Sequence, residues 1–122
     1  MNHIIVDIEA TCWKGWRNEN LMETIEIGGV KLNGGLEPMG EFNALIRPVI
    51  EPKLSDFCIR LTSIQQADVD DAETFTPVFN RFVKWIGREP FVWYSWGNFD
   101  RKQLERDCRK FRRRWPASLN KH

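Results

Sequence analysis

Residues 3–12 read HIIVDIEATC, an apolar run that leads into two acids one residue apart. Side chains alternate along a β-strand, so Asp7 and Glu9 point to the same face. The run before them is apolar on both faces, which is typical of a central strand in an α/β sheet. Such sheets carry their sites at the carboxyl ends of strands. The stretch therefore predicts a central strand over residues 3–9 with a polar site at its end.

The two acids also predict a metal. Carboxylates at the end of a buried strand repel each other and lose solvation, and a cation between them offsets both costs. Oxygen ligands on a hard divalent ion favour Mg²⁺ or Mn²⁺ over Zn²⁺. The alternative is that Asp7 merely ends the strand and Glu9 faces water, as surface acids commonly do.

Composition indicates one globular domain over residues 1–122, because the chain is 42% hydrophobic and 29% charged. No apolar run approaches the roughly 20 residues of a membrane span, and no signal peptide opens the chain. Three cysteines without a CxxC pair indicate free thiols rather than a disulfide framework or a zinc site. We expect a cytoplasmic protein with no membrane contact, whose protein partners are not readable from the sequence.

Charge is unevenly distributed. Residues 101–114 hold eight Lys or Arg against Glu105 and Asp107, a net charge of +6 in a chain whose total is +1. A basic block beside an acidic metal site suits a polyanion that must reach the metal. The alternative is a solvated helix face.

Hydrophobic periods and turn residues predict four strands and four helices. The strands are expected at residues 3–9, 24–32, 41–47 and 91–95, with a hairpin turn at 33–35 and a bulge at Gly28-Gly29. The helices are expected at residues 54–60 and 64–67, from Thr76-Pro77 to Gly87, and at 99–113. The third helix has its core face at helical spacing, formed by Phe75, Val78, Phe79, Phe82, Val83 and Ile86.

The connections predict a mixed sheet. Short turns join the first three strands into an antiparallel meander, and the helix before the fourth strand favours parallel pairing with the first. Asp100 then falls in the first turn of the last helix, on its buried stripe, just past the fourth strand. Neighbouring strands would bring Asp100 to the end of the first strand. The alternative is that Asp100 only assists helix capping.

Three carboxylates that converge in this way are what two-metal phosphoryl chemistry requires. The surrounding residues carry a resemblance as well, in this order along the chain: Val6-Asp7-Ile8-Glu9-Ala10-Thr11-Cys12, Glu26-Ile27-Gly28, Ile46-Arg47-Pro48, Leu54-Ser55-Asp56-Phe57-Cys58, Leu61-Thr62-Ser63-Ile64-Gln65 and Ser95-Trp96-Gly97-Asn98-Phe99-Asp100. With these the chain resembles DEDD-type 3′→5′ exonucleases of the histidine branch, in particular the histone-mRNA 3′ exonuclease group.

The resemblance implies a ribonuclease H-like fold, two Mg²⁺ or Mn²⁺ ions, and single-stranded RNA or DNA 3′ ends as partners. Asp7 is implied to bridge both ions, Glu9 to bind the ion that activates water, and Asp100 to support the leaving-group ion. A set of further residues is implied to bind the terminal nucleotide. Its members are Ala10, Thr11, Leu61, Thr62 and Trp96, the last with core packing as the alternative. Ser63 stands where the family commonly has glycine.

One family feature is not found. The third acidic motif of the family, a His followed five residues later by Asp, has no counterpart, because no acid follows Asp107 and His122 has no partner Asp. The fourth metal acid and the general base are therefore expected to be missing, and the fold to be truncated at its C-terminal end. We expect an impaired exonuclease. Two alternative functions remain open. One is an inactive domain that binds nucleic acid through residues 109–114 and Trp96. The other is a protein-interaction domain whose surface is formed by Trp13, Trp16 and Trp115.

Overall fold

The first strand, β1 (Asn2–Ala10), lies inside a four-stranded sheet in the computed structural model, which describes residues 1–15 and 18–122. The other strands are β2 (Thr24–Leu32), β3 (Pro38–Leu45) and β4 (Phe91–Tyr94). The order across the sheet is β3-β2-β1-β4, with β1–β2 and β2–β3 antiparallel and β1–β4 parallel. The predicted mixed sheet is confirmed, and β1 is flanked on both sides as expected.

Burial alternates along β1. Ile4, Val6 and Ile8 are at most 5% exposed, whereas Ile5 and Asp7 are exposed on the other face. The buried face packs on the third and fourth helices, and the other face is open along much of its length. The predicted phase of the strand is therefore confirmed, and its acids lie on the open face.

The predicted bulge at Gly28-Gly29 is wrong. Both glycines pair regularly with β1, and the register shifts instead between Glu9 and Ala10 and between Lys31 and Leu32. Glycine is needed at position 29 for another reason, since a Cβ there would lie 2.9 Å from the Trp85 ring. The apparent change of phase arises because a flat indole, rather than a side chain of β2, covers this part of the sheet.

The bounds of three strands differ from prediction, those of β1 by one residue at each end. β3 begins at Pro38, paired with Leu32 across the tight turn, and it leaves the sheet after Leu45 instead of reaching 47. Its continuation turns toward another segment, because the Arg47 amide donates to the Glu73 carbonyl at 2.8 Å. β4 ends one residue earlier than predicted.

Four helices flank the sheet: α1 (Asp56–Thr62), α2 (Gln66–Asp70), α3 (Phe75–Ile86) and α4 (Phe99–Lys110). Single-turn 3-10 helices occur at Glu19–Leu21 and Ala117–Asn120. The two short helices start two residues later than predicted. Ser55 sets the start of α1, because its hydroxyl accepts the Cys58 amide at 3.0 Å.

The start and end of α3 follow from its core face. Thr74, not the predicted Thr76, occupies the N-cap position, since the helix begins early enough to bury Phe75. Pro77 then falls in the first turn, where the missing N–H costs nothing. Gly87 ends the helix with φ +82°, as predicted. The main core cluster joins this face to β1, β4 and α4 through Ile4, Val6, Ile8, Phe75, Val78, Phe79, Phe82, Ile86, Trp93 and Leu104.

α4 ends at Lys110 rather than 113. Arg112 adopts a left-handed conformation with φ +55°, and the Arg113 amide returns to the Cys108 carbonyl at 2.8 Å. This is the backbone geometry that glycine usually supplies after a helix. An arginine at that position carries no such signal in the sequence, so the helix was overestimated.

Candidate metal and nucleic-acid site

The site is built by the difference in length between β1 and β4. Parallel pairing of the two strands stops at Ile5 and Tyr94, while β1 continues to Ala10. The Ile8 amide therefore has no strand partner, and it donates to Asp100 Oδ2 at 2.9 Å. Asp100 lies in the first turn of α4 and is 7% exposed. The predicted approach of Asp100 to the acids of β1 is present in the structure.

Electrostatic repulsion links the three acids. The pKa of Glu9 is raised above its ordinary value, first by burial and then by the charges of Asp7, Glu26 and Asp100. Burial also raises the pKa of Asp100, against the lowering effect of the Ile8 amide, and Asp7 raises it further. The charges of Asp7 and Asp100 thus disfavour ionisation of Glu9, and the charge of Asp7 disfavours ionisation of Asp100.

Among residues 1–15 and 18–122, no basic side chain pairs with Asp7 or Glu9. In the described part of the chain, neither the Asp7 nor the Glu9 side chain has a hydrogen-bond or ion-pair partner. The donor set is purely carboxylate oxygen, which fits a hard divalent cation. Within residues 1–15 and 18–122, however, no three His, Cys, Asp or Glu side chains stand close enough together to hold a metal ion in these rotamers. The carboxylate oxygens suit a divalent ion in kind. The exposed Asp7 side chain would have to rotate before the acids could surround such an ion.

A fourth acid lies beside the pair, and the sequence reading did not include it in the site. Glu26 is the cross-strand neighbour of Glu9, and its Oε2 accepts a hydrogen bond from Asn43 Nδ2 at 3.3 Å. Like charges directly opposite one another in a sheet are destabilising. The register of the β1–β2 hairpin was the signal that could have placed Glu26 here.

Neither of the two histidines forms a hydrogen bond or an ion pair with the three acids in the described part of the chain, although the charges of His122 and Asp100 act on each other. His3 Nδ1 is 2.9 Å from the Tyr94 hydroxyl, and His122 Nε2 is 2.7 Å from Ser95 Oγ. Burial, and then the charge of Arg101, lower the pKa of His122.

The residues expected to bind the nucleotide differ in accessibility. Trp96 is 97% exposed and Leu61 66% exposed, so the core alternative for Trp96 is wrong. Ala10 and Thr11 are buried, and Thr11 Oγ1 accepts the Glu23 amide at 2.9 Å. Thr62 is half-buried, and its hydroxyl donates to the Cys58 carbonyl at 2.8 Å. Only Trp96 and Leu61 present a free surface.

Two neighbouring features complete the surface. Phe99, which the sequence reading left out of the site, is 45% exposed immediately before Asp100. A shallow cavity of about 330 Å³ opens beside Asp7 on the open face of the sheet, with Ile5 and Gly28 among its lining residues. A larger cavity, of about 670 Å³, lies around the connection from α3 to β4 and contains none of the predicted site residues. The smaller cavity is therefore the one that adjoins a predicted metal-binding acid.

The basic segment 101–114 is divided between cations that pair within the fold and cations that face solvent. About half of its side chains are engaged within the fold, in these pairs: Arg101–Glu105 at 3.2 Å, Arg106–Glu19 at 3.4 Å, Lys110–Asp107 at 3.3 Å and Arg113–Asn80 at 3.0 Å. Another set is exposed, namely Lys102, Arg109, Arg112 and Arg114. These exposed cations remain available to a polyanion.

The tryptophan surface of the third hypothesis is not supported by packing. Trp115 is half-buried against Phe79 and Trp93, with ring centroids at 6.2 and 6.5 Å. Trp13 is also half-buried, and Trp16 lies outside the described residues. Among the described helices none is long and apolar enough to span a bilayer.

Comparison with known sequences gives a consistent result. A sequence model of the exonuclease family matches residues 4–122. Mouse 3'-5' exoribonuclease 1 is 38% identical over 125 residues, which is 96% of this chain and 36% of the mouse protein. The human protein of the same name is 45% identical over 83 residues, which is 67% of this chain and 24% of the human protein.

Comparison with solved structures agrees. The nuclease domain of 3'hExo, a DEDDh family member bound to rAMP, superposes with a TM-score of 0.88 at 36% identity. The match covers 95% of this chain and 62% of that domain. The chain thus spans about a third or less of the two curated relatives and well over half of the solved domain.

Proposed function

This chain belongs to the exonuclease family, and on that premise we propose that its acidic site hydrolyses phosphodiester bonds at the 3′ ends of single-stranded RNA or DNA. The observation that carries the proposal is the meeting of two elements at one point, where the Ile8 amide, between Asp7 and Glu9, binds Asp100 at 2.9 Å. Fold alone does not define the chemistry. The chemistry is inferred instead from the carboxylate oxygens that the site offers to a metal ion.

Asp7, Glu9 and Asp100 are the residues that hold the metal in this proposal, as Mg²⁺ or Mn²⁺. A divalent ion bound there would activate water and stabilise the leaving oxygen. Asp7 is exposed on the open face and is free to turn toward the ion. Asp100 is held in place by the Ile8 amide, so it supplies the fixed side of the site. Charge neutralisation by the ion would relieve the repulsion that raises the pKa of Glu9.

Two exposed apolar side chains supply the contact with the terminal nucleotide in this proposal. Trp96 offers a bare indole face, and bases stack on such faces with about 1–3 kcal/mol per base. Leu61 offers the second apolar surface. Ala10, Thr11 and Thr62 contribute through backbone position, because their side chains are buried or already hydrogen-bonded.

We also propose that the protein works in the cytoplasm, in keeping with the free thiols of its three cysteines.

We also propose that this chain by itself is a slow nuclease. In the described residues neither histidine forms a hydrogen bond or an ion pair with the acids, and loss of a general base costs about 10²–10⁴ in rate. The test is 3′ shortening of end-labelled single-stranded RNA and DNA in Mn²⁺, with Asp7→Asn as the site variant and Asp70→Asn, an exposed acid of α2, as the matched control. We expect slow release of mononucleotides, lost in Asp7→Asn and kept in Asp70→Asn. Cleavage that survives Asp7→Asn would contradict the site, and rapid cleavage would contradict the impairment.

A second candidate function is nucleic-acid binding without cleavage. The 97% exposure of Trp96 and the exposed cations of the 102–114 segment favour it. It predicts that binding of a single strand persists in a chelator, falls steeply with salt, and weakens about 5- to 100-fold in Trp96→Ala. Trp96→Phe, which keeps an aromatic face, should retain most of the affinity. Binding that requires Mn²⁺ would favour the nuclease instead.

A further inference from the structure

Two of the three cysteines with free thiols are neighbours in the fold, just past the acids of β1. Cys12 lies just past the end of β1 and Cys58 lies in the first turn of α1. The Ser55 side chain bridges the two cysteines, because its hydroxyl lies 2.6 Å from the Cys12 carbonyl and 3.0 Å from the Cys58 amide. Cys12 also packs on the small core cluster to which Cys58 belongs, together with Ile25 and Leu54. Cysteines 46 positions apart in the sequence are therefore side by side in the fold.

Backbone contacts hold these two cysteines together. The Ser55 hydroxyl donates to the Cys12 carbonyl and accepts the Cys58 amide. The Cys58 thiol reaches the Ala10 carbonyl at 3.8 Å. The N-terminal turn of α1 is thus docked on residues 10–12. The proximity of the two cysteines is part of this docking rather than a chance approach of two surface side chains.

The two thiols differ in exposure. Cys12 is half-buried and can meet a solute, whereas Cys58 is 0% exposed and can meet only its neighbours. Burial, then the neighbouring Cys58, and then the charge of Glu9 raise the pKa of Cys12 to about 12. Little thiolate is present at neutral pH, so attack on an oxidant is slow. Cys108 is 2% exposed in the main cluster, which contains neither of the other two cysteines.

We propose that Cys12 and Cys58 form a reversible intramolecular disulfide when the protein meets a peroxide. The Cys12 sulfur attacks one peroxide oxygen and becomes a sulfenic acid, with release of one water. The Cys58 sulfur then attacks the Cys12 sulfur, the S–S bond forms, and the hydroxyl leaves as a second water. Two thiols lose two electrons and two protons, and hydrogen peroxide is reduced to two waters. A dithiol reductant reduces the Cys12–Cys58 disulfide back to two thiols and is itself oxidised to a disulfide.

The cross-link would tie the acidic strand to the helix that presents Leu61 and Thr62. Residues 10–12 follow Glu9 directly, and α1 ends at Thr62. A covalent bond at the start of α1 would restrict how far these two elements can separate. It would also close a chain loop and so reduce the entropy of the unfolded state. The oxidised protein should therefore melt at a higher temperature.

The test uses the whole chain and needs neither metal nor nucleic acid. Wild type, Cys12→Ser, Cys58→Ser and the control Cys108→Ala are treated with hydrogen peroxide, alkylated, and examined by intact mass and by non-reducing peptide mapping. Wild type and Cys108→Ala should lose two hydrogens, join the Cys12 and Cys58 peptides, and melt several degrees higher until dithiothreitol is added. Cys58→Ser should stop at a sulfenic acid that dimedone traps on Cys12.

Three results would overturn the proposal. They are stepwise oxidation of Cys12 to sulfinic or sulfonic acid in wild type, a disulfide that includes Cys108, and a disulfide only between molecules. Peptide mapping of wild type decides among these even if a serine variant does not fold. Because the readout is covalent, its failure leaves the proposed nuclease function untouched, and loss of nuclease activity leaves the thiol pair untouched.

Discussion

Two pairs of carboxylates flank the same strand end and have opposite surroundings. On the buried side, Glu23 and Asp107 are 3% and 0% exposed, and both are hydrogen-bonded. On the open side, Asp7 and Glu9 have no hydrogen-bond or ion-pair partner in the described part of the chain. Buried carboxylates are tolerable only when they are paired. The first pair therefore stabilises the fold, and the second pair is left for a ligand.

The partners of the buried pair explain its effect. Glu23 accepts the Val49 amide at 2.9 Å and the Ile50 amide at 2.6 Å, which fixes the connector after β3. Asp107 Oδ2 accepts the amide and the hydroxyl of Thr24 at 3.0 and 2.5 Å, which fixes the first residue of β2 to α4. Thr24 pairs with Ala10 at the end of β1. The hydrogen bonds of Glu23 and Asp107 thus hold in place the strand end at which Asp7 and Glu9 lie.

The largest effect is expected from breaking the buried side. Asp107→Ala should lower the free energy of unfolding by about 3–5 kcal/mol, because it leaves the Thr24 amide and the Lys110 ammonium without their partner. Urea unfolding measures the change. Asp107→Asn keeps one carbonyl oxygen for Thr24 and should lose less. A loss below 1 kcal/mol in Asp107→Ala would mean that the buried pair does not stabilise the strand end.

The next effect comes from the open side. If Asp7 and its neighbours hold a divalent ion, then Mn²⁺ at ten times its dissociation constant should stabilise the fold by about 1.4 kcal/mol. Asp7→Asn should remove this gain, and Asp70→Asn should keep it. Thermal melts with and without EDTA provide the measurement. An equal gain in both variants would show that Mn²⁺ binds elsewhere.

The same contrast explains what the sequence could predict. Periodicity and turn residues located the strands, because the alternation of Ile4, Val6 and Ile8 with Ile5 and Asp7 is local information. The parallel pairing of β4 followed from the connection through α3. Asp100 was located by its place in the first turn of a helix after a strand. Each of these features depends on chain neighbours or on general rules of connection.

Features that depend on contacts distant in the chain were missed. In the sequence analysis Asp107 was counted only as one of the charges of segment 101–114. The structure buries it completely against Thr24, which is 83 residues away in the chain. Glycine is needed at position 29 because the Trp85 ring lies against it. The end of α4 is set by Arg112, which adopts a left-handed conformation that is rare for arginine. Helix starts shifted by one or two residues because buried side chains and the Ser55 cap, rather than propensity, set them.

A smaller effect tests Ser63, which stands where the family commonly has glycine. Ser63 ends α1 with φ +64°, the left-handed region where glycine avoids a steric cost. Ser63→Gly should therefore raise the free energy of unfolding by up to about 1 kcal/mol, because the strain in the folded state exceeds the entropy that glycine adds to the unfolded chain. Ser63→Ala removes the hydroxyl but keeps the Cβ and should give no gain. Urea unfolding of the two variants separates conformation from hydrogen bonding.

The smallest effect is a pH dependence on the open side. The pKa of Glu9 is raised in the folded protein, chiefly by burial and then by Asp7, Glu26 and Asp100, so the folded state binds the Glu9 proton more tightly than the unfolded state does. Stability should then fall as pH rises from the ordinary carboxylate range, about pH 4, through the raised pKa. Glu9→Gln cannot ionise, so without metal it should melt higher than wild type at pH 7, and the difference should shrink toward pH 4. Glu41→Gln, which changes an acid in β3 on the same face of the sheet, should show no such trend. If Glu9→Gln instead melts lower than wild type at pH 7 in EDTA, the Glu9 carboxylate stabilises the fold, and the contrast between the two sides of the strand end is lost.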